Sequence, residues 1–113
     1  MLGEWRTMCE QLEAENRREE AANLLQGVIR ALPIESEPVI RLIYLLLNML
    51  LEVRDLPSDQ RSWASRLLLE VYRTSRERFA EDPTYLFFTS ILMSVAGWHF
   101  GERDPDLPKA MRD

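Results

Sequence analysis

Cys9 and His99 are the residues whose side chains could most readily carry out catalysis, and each is the single member of its residue type. A thiol beside an imidazole is a common nucleophile, so a Cys–His pair is the first catalytic arrangement to consider. Cys9 lies on an apolar helical stripe that starts at Trp5, which favours core packing. His99 follows Trp98 near a predicted helix end, where the helix dipole stabilises an imidazolium. We therefore expect a core position for Cys9, a capping role for His99 and no enzyme activity.

Metal ions and phosphates need ligand patterns that this sequence does not contain. Zinc needs several Cys, His or carboxylate ligands at fixed spacings, and the sequence has no such cluster. The acidic residues within 102–106 are interrupted by Pro105 and lack the spacing of a calcium loop. The glycines stand apart and form no phosphate-binding loop. We predict no metal and no cofactor, and we interpret the carboxylates near the N-terminus as a solvated helix face: Glu10, Glu13, Glu19 and Glu20.

The composition is that of one globular domain with an acidic surface. The chain has 113 residues, of which 46% are hydrophobic and 29% are charged, and its formal net charge is −5. An acidic chain is poorly suited to a phosphate backbone, so we expect no nucleic-acid partner, whereas a basic protein would be attracted to it. The single cysteine excludes an internal disulfide. Acids among the first 13 residues do not fit a secretory signal, so we predict a cytoplasmic protein.

Helical periodicity between proline and acidic breaks predicts an all-α fold of four to five antiparallel helices. Apolar residues recur at helical spacing over 5–32, with a polar gap at 15–20. We interpret this stretch as one long or kinked helix, and two helices meeting near Asn16 are the alternative. A second helix is predicted over 37–54, with Ser36 as its N-cap.

Two further helices are predicted in the second half of the chain. One begins at Ser58, which would act as its N-cap. Its buried face is predicted to contain Ala64, Leu68, Tyr72, Ser75 and Phe79. The other opens at Asp82-Pro83 and ends around Gly101, since glycine commonly follows a helix C-terminus.

The helices at 37–54 and 83–101 are unusually apolar. The first has only a narrow polar stripe, which predicts burial by neighbours on several sides. The second contains no Asp, Glu, Lys or Arg and approaches the length of a membrane span. It carries polar side chains and has acidic flanks, however, so we expect a buried central helix and no membrane contact. Its small residues form one stripe, which either packs on the helix at 37–54 or receives a partner's helix: Ser90, Ser94, Gly97 and Gly101.

A sequence pattern that occurs twice divides the chain into two units. Glu37-Pro38 and Asp82-Pro83 each open an apolar helix, and the two prolines are 45 positions apart. This period is that of HEAT and armadillo arrays, and residues 20–101 resemble HEAT- or TPR-like helical-hairpin families. The resemblance implies a single domain with hairpins at about 17–54 and 58–101 and a tail at 102–113. A plain four-helix bundle is the alternative.

A chain without catalytic groups is expected to act by binding. Small size, acidity and the lack of an enzyme signature fit an inhibitory partner of a basic protein, such as an immunity protein or antitoxin. Segments 82–88 and 96–101 are also similar to small helical proteins encoded beside bacterial toxins, which adds to this hypothesis. The alternatives are a chaperone or adaptor that binds a client helix or peptide, and a homodimer formed through the helix at 37–54. The predicted partner-binding residues are acids in two inter-helix turns and one aromatic anchor: Glu35, Glu37, Glu81, Asp82 and Trp98.

Overall fold

The described part of the chain folds into five α-helices. The computed structural model describes residues 4–52 and 56–96. Its helices are α1 (Trp5–Ala14), α2 (Arg18–Ala31), α3 (Glu37–Glu52), α4 (Ser58–Arg78) and α5 (Pro83–Ala96). These ranges contain no strand, so the prediction of an all-α fold with four to five helices is confirmed. Within the same ranges, no helix is both long enough and apolar enough to cross a bilayer.

The N-terminal helical stretch is two helices, so the preferred prediction of one long or kinked helix is wrong. The break lies at Asn16, whose φ of 62° is in the left-handed region that asparagine tolerates. The Asn16 N–H donates to the Glu13 carbonyl at 3.0 Å, and the Arg17 N–H donates to the Leu12 carbonyl at 2.8 Å. This pair of hydrogen bonds is a Schellman motif, which ends a helix and turns the chain.

Helix α3 is the centre of the fold. It packs against α2, α4 and α5, as expected for a helix that is apolar over most of its circumference. Leu42, Ile43 and Leu46 are fully buried, whereas Tyr44 and Leu51 remain exposed. The prediction that this helix is buried on several sides is therefore confirmed for most of its surface.

The side of α4 that was predicted from the sequence to be buried is buried in the structure. The five side chains named from the sequence are all at most 5% exposed, and Phe79 is the residue directly after the helix: Ala64, Leu68, Tyr72, Ser75 and Phe79. The predicted N-cap is wrong, because Pro57 holds the N-cap position and no side chain caps the helix. Pro57 has extended backbone angles, and its carbonyl accepts the Arg61 N–H at 2.9 Å, so Ser58 is already helical.

Helix α5 lies on α3 but is not the buried central helix that we expected. Tyr85 and Thr89 are buried, whereas Leu86, Phe87 and Phe88 are exposed. Among the described residues, α3 is the main neighbour of α5 and covers one side of it. The described part of the small-residue stripe, Ser90 and Ser94, is also exposed, so the prediction that it packs on α3 is wrong there.

The two apolar helices therefore hold different positions, and the described helices give no evidence for a HEAT- or TPR-like repeat. The predicted ends of the apolar helices near Arg54 and Gly101 lie outside the described residues. So do Gly97 and the tail at 102–113.

Candidate functional site

Cys9 occupies a core position, as predicted. Its side chain is fully buried, and its thiol donates a hydrogen bond to the Glu13 carboxylate at 3.3 Å. Burial raises the pKa of the thiol to about 12, and the contact with Glu13 acts in the same direction. The thiol is therefore protonated near neutral pH and is a poor nucleophile. His99 lies outside the described residues, which contain no cluster of metal-ligating side chains.

Trp5 joins α1 to the start of α3 through two arginines. The guanidinium carbons of Arg6 and Arg41 lie 4.7 Å and 5.6 Å from the centre of the buried Trp5 ring, within the range of cation–π contacts. Arg6 forms two hydrogen bonds to the Glu37 carboxylate, and Arg41 approaches the same group at 3.5 Å. The hydrogen bonds from Arg6 lower the pKa of Glu37. Glu37, a predicted partner-binding residue, thus fixes α1 to α3.

Asp82 also has a role within the chain. Its Oδ1 accepts the Tyr85 N–H at 3.0 Å, which caps the start of α5. Glu35 and Glu81 are exposed, and neither forms an ion pair with a described residue. The structure therefore gives two of the four predicted carboxylates a structural role and leaves Glu35 and Glu81 available. Trp98, the predicted aromatic anchor, lies outside the described residues.

Glu35 lies in the α2–α3 turn and Glu81 in the α4–α5 turn. Arg61 donates to the Leu50 carbonyl at 3.2 Å, which ties the start of α4 to the end of α3, and α4 packs against α3. If α4 runs back along α3, both turns lie at the same end of the helices, as the sequence led us to expect. We call these two turns, with the exposed Glu35 and Glu81, the acidic end.

A group of exposed apolar side chains forms a surface that the sequence did not reveal. We call it the aromatic face, and it consists of Tyr44, Phe87, Phe88 and Ile91, which are 58%, 61%, 44% and 46% exposed. The Phe87 and Phe88 rings meet edge to face with centroids 5.3 Å apart. Tyr44, Phe88 and Ile91 line one groove of about 480 Å³. The four side chains therefore form one continuous surface.

The inner side of α5 orients this face. Tyr85 is fixed in the core by a 2.7 Å hydrogen bond between its hydroxyl and that of Ser75, and its ring centroid lies 5.4 Å from that of Phe79. The Thr89 hydroxyl donates to the Tyr85 carbonyl at 2.7 Å, so this buried polar group is satisfied. With Tyr85 and Thr89 inward, Phe87 points away from the core. Sequence periodicity missed this arrangement because an uncharged helix has no polar side to mark its solvent face.

The aromatic face carries almost no charge. Helix α5 has no ionisable acid or base from Pro83 to Ala96 apart from the phenol of Tyr85. In the groove, Glu13 and Arg41 stand opposite this helix. Arg41 is shared between Glu37 and Glu10, and it approaches Glu10 at 3.7 Å. The face is thus a neutral apolar area on a chain of net charge −5.

Comparisons with known proteins found no relative of this chain. No protein-family model matches the chain, and searches of curated proteins and of solved structures found no match. The aromatic face and the acidic end are therefore the features from which a function can be inferred.

Proposed function

We propose that this chain is a non-catalytic protein-binding module and that its aromatic face is the surface that binds. The observation that carries the proposal is the continuous exposure of Tyr44, Phe87, Phe88 and Ile91. With about 200 Å² for each large side chain, their exposed fractions correspond to roughly 400 Å² of apolar surface. A patch of this size is as large as the largest apolar patch of an ordinary monomer, and such patches often mark protein interaction sites.

The energetics support a binding role for this face. At about 25 cal/mol per Å², covering roughly 400 Å² contributes on the order of 10 kcal/mol. Association of two proteins costs an estimated 4 to 15 kcal/mol in lost freedom of motion. The apolar contribution is therefore of the size needed to offset this cost. Aromatic side chains are also enriched among the residues that dominate binding energy.

The finer proposal is that the chain inhibits a basic protein, as an immunity protein or antitoxin does. Its support is electrostatic: the net charge is −5, and the Glu35 and Glu81 side chains are exposed. Such a surface accelerates encounter with a basic partner. A chaperone or adaptor is the second candidate, because a groove beside an apolar helix can hold a client helix.

Crosslinking in the producing cell tests the main proposal. Phe87 and Ile91 would be changed together to serine, and Leu86→Ser would be the control, because Leu86 is on the same helix with a similar exposure of 42% but on another side. We expect crosslinks to a specific protein, a second copy included, to fall about tenfold in the double variant and to persist in the control. Circular dichroism would show that all three proteins fold. An unchanged set of crosslinked proteins would refute the proposal.

Charge reversal tests the finer proposal. The test variant combines Glu35→Lys and Glu81→Lys, which removes two acidic side chains and keeps the Glu37 ion pairs and the Asp82 cap. The control is Glu70→Lys on the exposed side of α4. With the purified basic partner, we expect slower association and a weaker dependence of the rate on salt for the pair of reversals. If the recovered partner is not basic, or if the rate is unchanged, the inhibitor proposal is wrong.

A further inference from the structure

We propose that the aromatic face binds a second copy of this chain, so that the protein is a symmetric homodimer with the α5 helices paired across a two-fold axis. This inference rests on the proposed function, because it uses the same face and names its partner. It differs from the homodimer considered as an alternative in the sequence analysis, which used the broad apolar surface of α3, because most of that surface is buried within the chain and only Tyr44 of α3 belongs to the aromatic face.

The spacing of exposed residues on α5 fits helix pairing. Thr84, Phe87, Ile91 and Ser94 are all exposed and follow one another at intervals of three, four and three residues. This interval pattern is the seam along which two helices pack at a small crossing angle. The large side chains in the middle of the seam, Phe87 and Ile91, would supply most of the apolar contact, and the small Thr84 and Ser94 at its ends would not obstruct it. The Ser94 hydroxyl donates to the Ile91 carbonyl at 2.7 Å, so covering it leaves no unsatisfied donor.

Charge favours a second copy over a basic partner at this face. Two chains of net charge −5 repel one another, so a contact through charged surface would bring like charges together. The seam of α5 has no Asp, Glu, Lys or Arg, and it lets two acidic chains meet without opposing carboxylates. A basic protein would find only Glu13 to pair with in the groove, and Arg41 lines the same groove, whereas Glu35 and Glu81 are exposed elsewhere.

The aromatic face is also large enough to form a stable dimer interface. Interfaces are about 60% apolar, so the roughly 400 Å² of the aromatic face corresponds to about 650 Å² per copy with its polar rim. Two copies would bury about 1,300 Å² in total, which lies within the range of stable protein–protein interfaces. Because a two-fold axis uses the same patch on both copies, each side chain of the seam contributes twice.

Sedimentation velocity of the full chain tests the inference. From about 1 to 100 µM, where a moderate dimer dissociates, we expect a mass near twice 13.3 kDa at the upper end. Phe87→Asp should weaken dimerisation by about 100-fold or more, because the change occurs twice in one interface. Leu86→Asp should leave the dimer intact. Raising the salt concentration should leave wild-type dimerisation unchanged or strengthen it, because salt screens the repulsion between acidic chains.

Three results would overturn the inference: a wild-type monomer throughout this range, a dimer that survives Phe87→Asp, or loss of the dimer in Leu86→Asp as well. Because Phe87 is 61% exposed, circular dichroism of the variant should match that of the wild type. The crosslinking experiment separates this failure from failure of the proposed function. A monomer whose crosslinks to another protein disappear in the Phe87 and Ile91 variant keeps the proposed function and excludes the second copy as its partner.

Discussion

Raising the pH above 9 should destabilise this protein through Cys9. The folded chain keeps the thiol neutral, because burial raises its pKa from 9.0 to about 12. The unfolded chain exposes the thiol to water, so it releases the proton at a lower pH than the folded chain does. The stability that comes from the neutral thiol is therefore complete below pH 9 and is lost as the pH rises toward 12.

The expected loss is large enough to measure. Each pH unit inside this window changes the free energy of unfolding by about 1.4 kcal/mol for one group. Between pH 8 and pH 10 the wild-type protein should therefore lose about 1.4 kcal/mol from Cys9 alone. A domain of this size has a total stability of only about 5 to 15 kcal/mol.

Urea unfolding of the wild type and of Cys9→Ala at both pH values isolates this effect. Burial also raises the pKa of Tyr72 and Tyr85, but both tyrosines are present in both proteins and cancel in the comparison. The alanine variant loses some packing, which lowers its stability by a constant amount at the two pH values. We expect the difference between the proteins to shrink by about 1.4 kcal/mol at pH 10. Equal pH dependence in both proteins would show that α1 does not bury the thiol.

Three further pairs of substitutions test the packing and the turns, each by thermal or urea unfolding. Leu68→Ala should lower the free energy of unfolding by about 3 kcal/mol, because it leaves a cavity beneath α4. Leu51→Ala, at a site 42% exposed, should lower it by under about 1 kcal/mol. Equal losses would contradict the burial of Leu68. Asp82→Ala should cost about 1 kcal/mol through the lost cap, and the neighbouring Glu81→Ala almost nothing. Asn16→Gly should be neutral or slightly stabilising and Asn16→Val should cost about 1 to 2 kcal/mol, since φ there is 62°; a tolerated valine would refute the left-handed turn.

The sequence predicts an element well where charged and apolar residues alternate. In α4 the arginines mark the solvent side, so the buried positions from Ala64 to Phe79 follow from spacing alone. In α3 the near absence of polar residues correctly indicates a helix with neighbours on several sides. Both predictions depend only on local periodicity, which the sequence contains in full.

Other features depend on contacts between distant parts of the chain. An uncharged helix has the same sequence pattern whether the fold or another protein covers it, so the exposure of Phe87 on α5 could not be predicted. The role of Glu37 depends on Arg6, which is 31 residues away. The turn at Asn16 was named only as the alternative to one long helix, because the segment contains neither glycine nor proline, the residues that most often mark a break.

Because three helices pack on α3, fragments that lack α3 are not expected to fold. Because α2, α4 and α5 each rest on this one helix, a fragment that contains only α4 and α5 has lost the surface that holds the two together. Dividing the described helices between α3 and α4 would give a first half, α1 to α3, that keeps part of the core. The second half, α4 and α5, would have no core of its own. We therefore expect the second half expressed alone to remain unfolded, and to gain helix content only when the first half is added.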